Sequence, residues 1–154
     1  MGKIEAQYSS VNVSIAELNQ EIPKRKYYTM ADQSKYIWFN GGIIPWEDAN
    51  IHVMSHVLHY GSAVFEGIKC YNSENGPAIF RLEDHIKRLF ISGEKYGLVI
   101  PYTVNELTKA CVEIVAVNDF ENCYIRPIAF YGYDTLGVHP KDCPVEVAIA
   151  SFFW

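Results

Sequence analysis

The run His52–Tyr71, HVMSHVLHYGSAVFEGIKCY, restricts the possible folds more than any other part of the chain. Histidines at 52, 56 and 59 lead into a His-Tyr-Gly step, after which the pattern suits a strand. Strand side chains alternate, so Ala63, Phe65, Gly67, Lys69 and Tyr71 share one face, and Val64, Glu66, Ile68 and Cys70 share the other. A glycine between a Phe and a Lys leaves a gap beside a flat apolar wall. Such a gap suits a ligand that lies close to the backbone. A strand with a bulge at Gly67 accounts for the same pattern.

The flanking sequence continues with hairpins. Tyr36-Ile37-Trp38-Phe39 and Gly42-Ile43-Ile44 are joined by Asn40-Gly41, a pair suited to the positive φ values of a type I′ turn. Pro45 ends the second strand, because it lacks a ladder donor. A second hairpin runs from the 63–71 strand through Asn72–Pro77 into Ala78-Ile79-Phe80. Two helices follow. The first spans Glu83–Tyr96, with a buried stripe of Leu82, Ile86, Leu89 and Phe90, acidic residues in its first turn and Gly97 as its stop. The second starts at the capping box Thr103-x-x-Glu106 and buries Leu107, Ala110, Cys111, Ile114 and Val115. Period-two patterning returns at Cys123–Tyr131, where Pro127 predicts an irregular or edge position, and again from Val145 to Phe153. Residues 1–35 read as an N-terminal extension, in which Val11, Val13 and Ile15 alternate. Residues 36–154 read as one α+β domain in two layers, a mainly antiparallel sheet with helices on one side.

Composition removes several function classes. A net charge of −5 without a basic stripe predicts no nucleic-acid partner. No apolar run approaches the roughly 20 residues that span a bilayer, so no membrane partner is expected. The N-terminus lacks a signal-peptide core, and Ala6 stands where a myristoylation motif needs Ser or Thr. Cys70, Cys111, Cys123 and Cys143 are widely spaced, which predicts reduced thiols and a cytoplasmic location.

The candidate chemistry is sparse. On a helix, His52, His56 and His59 would share a face, but no His-Glu-x-x-His motif accompanies them; no metal site is assigned, and hydrogen bonding around the turn is the simpler role. Arg88 stands four residues after Asp84 and suits either an ion pair on the helix or a phosphate clamp. Tyr124 and Arg126 share a strand face. A charge there needs an anionic partner, either Glu66 or a substrate carboxylate.

Several segments in order resemble one family: Tyr36-Ile37-Trp38-Phe39-Asn40-Gly41, His59-Tyr60-Gly61-x-x-Val64-Phe65-Glu66-Gly67-Ile68-Lys69, Arg81 to Leu89, Tyr124-Ile125-Arg126-Pro127 and Gly137-Val138. They resemble the small N-terminal domain of branched-chain amino-acid aminotransferases. These are fold type IV pyridoxal-phosphate enzymes, which share their fold with D-amino-acid aminotransferase and aminodeoxychorismate lyase. Those relatives usually carry a Gln-Phe-Gly-Asp-Gly type of sequence where this chain has Phe-Glu-Gly-Ile-Lys. A D-amino-acid or lyase relative, and a non-catalytic dimerisation or binding module of this fold, are the alternative readings.

The resemblance implies transfer of an amino group between leucine, isoleucine or valine and 2-oxoglutarate, with pyridoxal phosphate as cofactor. It implies that Arg88 holds the cofactor phosphate and that Phe65 and Gly67 line the side-chain pocket. Tyr124 would hold the substrate carboxylate, Arg126 would receive the distal carboxylate of glutamate, and Trp154 would form an aromatic wall. Tyr60 and Val138 would reach the neighbouring subunit's site in a homodimer or higher homo-oligomer. Lys69 stands where family members carry Arg or Lys, and no role follows for it. The Schiff-base lysine belongs to a large domain beyond the matched segment. None of Lys3, Lys24, Lys26, Lys35, Lys69, Lys87, Lys95, Lys109 and Lys141 stands in its context. The chain is therefore expected to be a fragment or truncated product, with no catalytic residue of its own, weak or no cofactor binding and no activity.

Overall fold

The computed structural model describes residues 34–153. The expectations for Trp154 and for the alternating Val11, Val13 and Ile15 lie outside the described residues. Strands β1 (Tyr36–Phe39) and β2 (Gly42–Pro45) form the first hairpin. Its turn residues Asn40 and Gly41 have φ of 46° and 97°, as a type I′ turn requires. A short 3-10 turn, Trp46–Asp48, leads on to α1 (His56–Tyr60), which Gly61 ends in the left-handed conformation. Next come β3 (Ala63–Phe65), β4 (Ile68–Ser73) and β5 (Gly76–Ile79), followed by α2 (Leu82–Lys95) and α3 (Val104–Val117). The chain closes with β6 (Cys123–Tyr131) and β7 (Val145–Phe152).

The strands form one sheet in the order β2-β1-β7-β6-β4-β5, with β3 also paired to β6, and all these pairings are antiparallel. Cys70, Ile68, Cys123, Ile125, Ala129, Val147 and Ile149 form a core with Ile86 and Leu89 of α2 and Leu107, Cys111 and Ile114 of α3. Each fully buried Leu or Ile contributes about 1.5–3 kcal/mol over its exposed state. Along β6 the intervening Tyr124, Arg126 and Ile128 are half-buried, because they face away from the helices. The fold is thus α+β with both long helices on one side of an antiparallel sheet. Both helix ends follow the local chemistry. Thr103 and Glu106 form a reciprocal capping box on α3, and Gly97, at φ 67°, follows the end of α2.

Two local expectations change. The 63–71 strand is broken, since Glu66 and Gly67 lie between β3 and β4. Pro127 is buried in a central strand, between β7 and the β3/β4 pair, and so does not mark an edge. In a strand the N–H and C=O of one residue point to the same side. Pro127 C=O accepts from Glu66 N–H at 3.0 Å. The donor that proline lacks therefore falls at the gap in the neighbouring strand, where the ladder is already interrupted.

Asn118, after the last turn of α3, fastens the start of the described chain. Its Oδ1 accepts from Lys35 and Tyr36 N–H at 2.9 Å each. Its Nδ2 donates to Tyr36 C=O and Ile114 C=O at 3.0 Å and to Ser151 Oγ at 2.9 Å.

Candidate active site

The gap between β3 and β4 places three consecutive residues in different surroundings. Phe65 and Gly67 face away from the helices, whereas Glu66 turns beneath the sheet to meet α2. Glu66 is 5% exposed. Arg88 donates to it through Nε at 2.6 Å and Nη2 at 2.5 Å, and His85 Nδ1 lies 3.0 Å from its Oε2. Burial alone would raise the Glu66 pKa; the hydrogen bonds and charges of Arg88 and His85 outweigh it and hold the carboxyl below its ordinary range. A carboxylate only accepts, so His85 Nδ1 carries the proton that bonds to it. The 3.3 Å contact between Arg88 Nη2 and His85 Nδ1 then joins two donors and is not a hydrogen bond. The same carboxylate raises the Arg88 pKa.

Asp84 is not the partner of Arg88. It pairs with Arg81 at 2.8 Å, while the i, i+4 pair on this helix is Glu83 with Lys87 at 2.7 Å. Phe80, Arg81, Asp84, His85 and Arg88 line a hollow of about 360 Å³. Guanidinium has five N–H donors, and the Glu66 carboxylate takes the side edge, Nε and Nη2. The end edge, Nη1 and the outer Nη2 proton, stays available on a side chain that is 63% exposed. A planar fork beside a hollow, with the nearby Asp84 charge already matched by Arg81, is a suitable donor set for a phosphate.

The face away from the helices carries a second group. Residues opposite each other in the ladder share a face. Lys69 pairs with Tyr124, Phe65 with Ile128, Arg126 with Ala150 and Tyr124 with Phe152. A Cβ on Gly67 would come within 1.9 Å of Tyr124 Oη, so the missing side chain is what lets the phenol lie across the backbone there. Arg126 Nη2 donates to Tyr124 Oη at 3.0 Å, and the guanidinium carbon stands 4.4 Å from the Phe65 ring centre. Arg126 Nε is buried and has no hydrogen-bond partner among the described residues. Glu66 is not its partner, since that carboxylate is committed to Arg88 and His85 on the other side. Phe65 is 57% exposed and forms the open wall of this patch.

Tyr60 is bonded to the loop that carries Val138 at a third place. Tyr60 Oη donates to Leu136 C=O at 2.9 Å, and Val138 is 81% exposed on the same loop. The histidines are spread through this region. His56 is buried, with Nδ1 2.8 Å from Ser62 Oγ and Nε2 3.0 Å from Gly137 C=O. His59 Nε2 lies 3.1 Å from Val53 C=O, and His52 precedes the helix, where its Nδ1 accepts from Met54 N–H at 3.1 Å. The structure adds one residue to the sequence-derived set, His85. Its signal was available, since His85 and Arg88 are three apart on one helix face. Thiolate chemistry is unfavourable at Cys111 and Cys123, because burial pushes both up to about 12.

Residues 63–154 match the family described as Amino-transferase class IV. The chain belongs to the class IV aminotransferase family. Among the similar proteins, a branched-chain-amino-acid aminotransferase of Escherichia coli K12 is 45% identical over 123 residues, covering 79% of this chain and 40% of that protein. One from Pseudomonas aeruginosa is 42% identical over 126 residues, covering 82% and 41%. The solved T.th. branched-chain amino acid aminotransferase, complexed with N-(5'-phosphopyridoxyl)-L-glutamate, superposes with a TM-score of 0.77 at 45% identity, covering 79% and 41%. The chain thus spans about two fifths of the length of the curated relatives it matches, and class IV membership agrees with the sheet-and-helix architecture of the fold.

Proposed function

We propose that residues 36–154 form the small domain of a branched-chain amino-acid aminotransferase, which exchanges amino groups between leucine, isoleucine or valine and 2-oxoglutarate. The observation that carries this reading is the pair of sites joined through Glu66: a hollow lined by Arg88 and an aromatic–guanidinium patch at Phe65, Gly67, Tyr124 and Arg126. The names of the relatives support it, as does the phosphopyridoxyl adduct in the solved relative.

Pyridoxal phosphate, when bound, supplies the electron sink that makes the substrate Cα–H bond acidic. The protein's own part is recognition. The end fork of Arg88 binds the phosphate. Phe65 packs against a branched aliphatic chain, and Gly67 lets it approach the backbone. Tyr124 Oη helps hold the substrate carboxylate, and the Arg126 guanidinium receives the distal carboxylate of glutamate. One patch thereby accepts both an apolar and an acidic side chain, because the Arg126 guanidinium is held over the Phe65 ring instead of projecting as a bare charge.

Tyr60 and the Val138 loop are proposed to project toward a second copy's site across a two-fold contact. A cytoplasmic location is also part of this reading. All four cysteines are buried and unpaired, as suits a reducing compartment. Among the described residues no helix is long and apolar enough to cross a membrane.

None of the described lysines stands in the context expected of a Schiff-base lysine. Lys69 is the lysine on the face of Phe65 and Gly67, and it is paired in register with Tyr124. The 154-residue polypeptide is expected to bind pyridoxal phosphate only weakly and to show no turnover of leucine with 2-oxoglutarate. A visible spectrum followed by a coupled glutamate assay checks this. A stable cofactor–lysine absorption band with turnover would overturn the inactivity reading and point first to Lys69.

A further inference from the structure

We infer that Glu66 is a positioning residue for the phosphate site, one that aims Arg88 instead of merely balancing its charge. The inference deepens the proposed function and rests on its phosphate reading of Arg88. Glu66 is almost completely buried, yet both of its oxygens are used: Oε1 by Arg88 Nε, and Oε2 by Arg88 Nη2 and His85 Nδ1. Two parallel hydrogen bonds fix the plane and rotation of a guanidinium in a way one contact cannot. The bond from His85 fixes the carboxylate in turn, and Glu66 N–H is itself tied to Pro127 C=O at 3.0 Å. The orientation of the exposed arginine is thus set by a chain of contacts that ends in the central strand. Long side chains at helix surfaces ordinarily sample several rotamers, and ordering them on binding weakens affinity. Here the order is established beforehand, and the end edge of Arg88, a residue that lines the hollow, is left free of the Glu66 carboxylate.

Charge balance alone predicts the opposite behaviour on mutation. Paired with Glu66, Arg88 brings no net charge to the hollow, and Arg81 with Asp84 brings none either. If Glu66 only neutralised charge, Glu66→Gln would leave the hollow more positive and tighten anion binding, and Glu66→Asp would match the parent. A positioning role predicts that both variants weaken it. In Glu66→Gln, whichever way the amide is placed, its NH₂ meets an Arg88 N–H, and the fork turns away. Glu66→Asp keeps the charge but is one methylene too short to reach Arg88 and His85 together.

The test compares pyridoxine 5′-phosphate with pyridoxine, which lack an aldehyde and cannot attach to stray lysines. Their affinity ratio for the 154-residue chain isolates the phosphate contribution. The parent is expected to prefer the phosphorylated form about tenfold or more, and Arg88→Ala to abolish that preference. Glu66→Gln and Glu66→Asp are both expected to lose most of it, with the Arg88 Nε–H NMR signal losing its protection from exchange. A parent with no preference, or an Arg88→Ala variant that keeps it, overturns the phosphate reading itself. Loss in Arg88→Ala with preference kept or increased in Glu66→Gln and kept in Glu66→Asp overturns the positioning role alone. Thermal unfolding of each variant establishes that it is folded. If Glu66→Gln does not fold, Glu66→Asp decides, because a charge-balancing role leaves it like the parent.

Discussion

At Gly67 one absent carbon decides where an aromatic ring can lie. Gly67→Ala would drive a Cβ into the Tyr124 hydroxyl, the far end of a side chain that can rotate aside. The expected stability cost is below about 1 kcal/mol, but Tyr124 leaves Arg126 and their 3.0 Å hydrogen bond is lost. Denaturant midpoints should barely change, while the Arg126 Nη signals in NMR shift. A large loss of stability with an unmoved Arg126 would contradict this account. Glu66 makes a pH prediction. Its folded-state pKa lies below the ordinary value of 4.5, so its pairing stabilises the fold above that value and the contribution is lost as pH falls through the folded pKa. Urea midpoints measured from neutral pH to below 4.5 should fall more steeply for the parent than for Glu66→Gln; equal slopes would show that the pairing does not stabilise the fold.

At the scale of elements, the strongest tie between distant segments is the Asn118 clasp. One amide after α3 satisfies backbone groups of Lys35 and Tyr36 and reaches Ser151 at the end of β7. Asn118→Ala strands several of these groups and is expected to cost about 2–3 kcal/mol, read as a lower midpoint and faster amide exchange at Tyr36. What the sequence shows at this scale is what is decided locally. The type I′ turn at Asn40-Gly41, the Thr103–Glu106 capping box and the Gly97 stop each need only a few neighbouring residues, and each is legible. Of the two positions expected for Pro127, irregular or edge, it takes an irregular one in a central strand, because a strand's place in a sheet depends on its partners. A gap at Glu66–Gly67, far away in sequence, is what makes room for a proline in a central strand. The partner of Arg88 is hidden for the same reason: the Asp84 spacing is visible, and the contact to Glu66 across 22 residues is not. Alternation does place Glu66 opposite Phe65, which is half of the arrangement.

At the scale of the whole molecule, the two layers divide the labour. The helix-covered face carries the apolar core and the Glu66–Arg88–His85 anchor, and the open face carries Phe65, Gly67, Tyr124 and Arg126. Glu66 lies between Phe65 and Gly67 in the chain, so a ligand with a phosphate at one end and an amino acid at the other would engage both faces at the gap between β3 and β4. The most direct measurement of this claim is an amide and arginine side-chain NMR titration of the 154-residue chain with N-(5'-phosphopyridoxyl)-L-leucine. The account predicts shifts in two groups, Phe80–Arg88 and Phe65–Gly67 with Tyr124 and Arg126, the first group disappearing in Arg88→Ala. Shifts confined to the apolar groove between Pro77, Val112 and Phe120, or a response unchanged in Arg88→Ala, would contradict it.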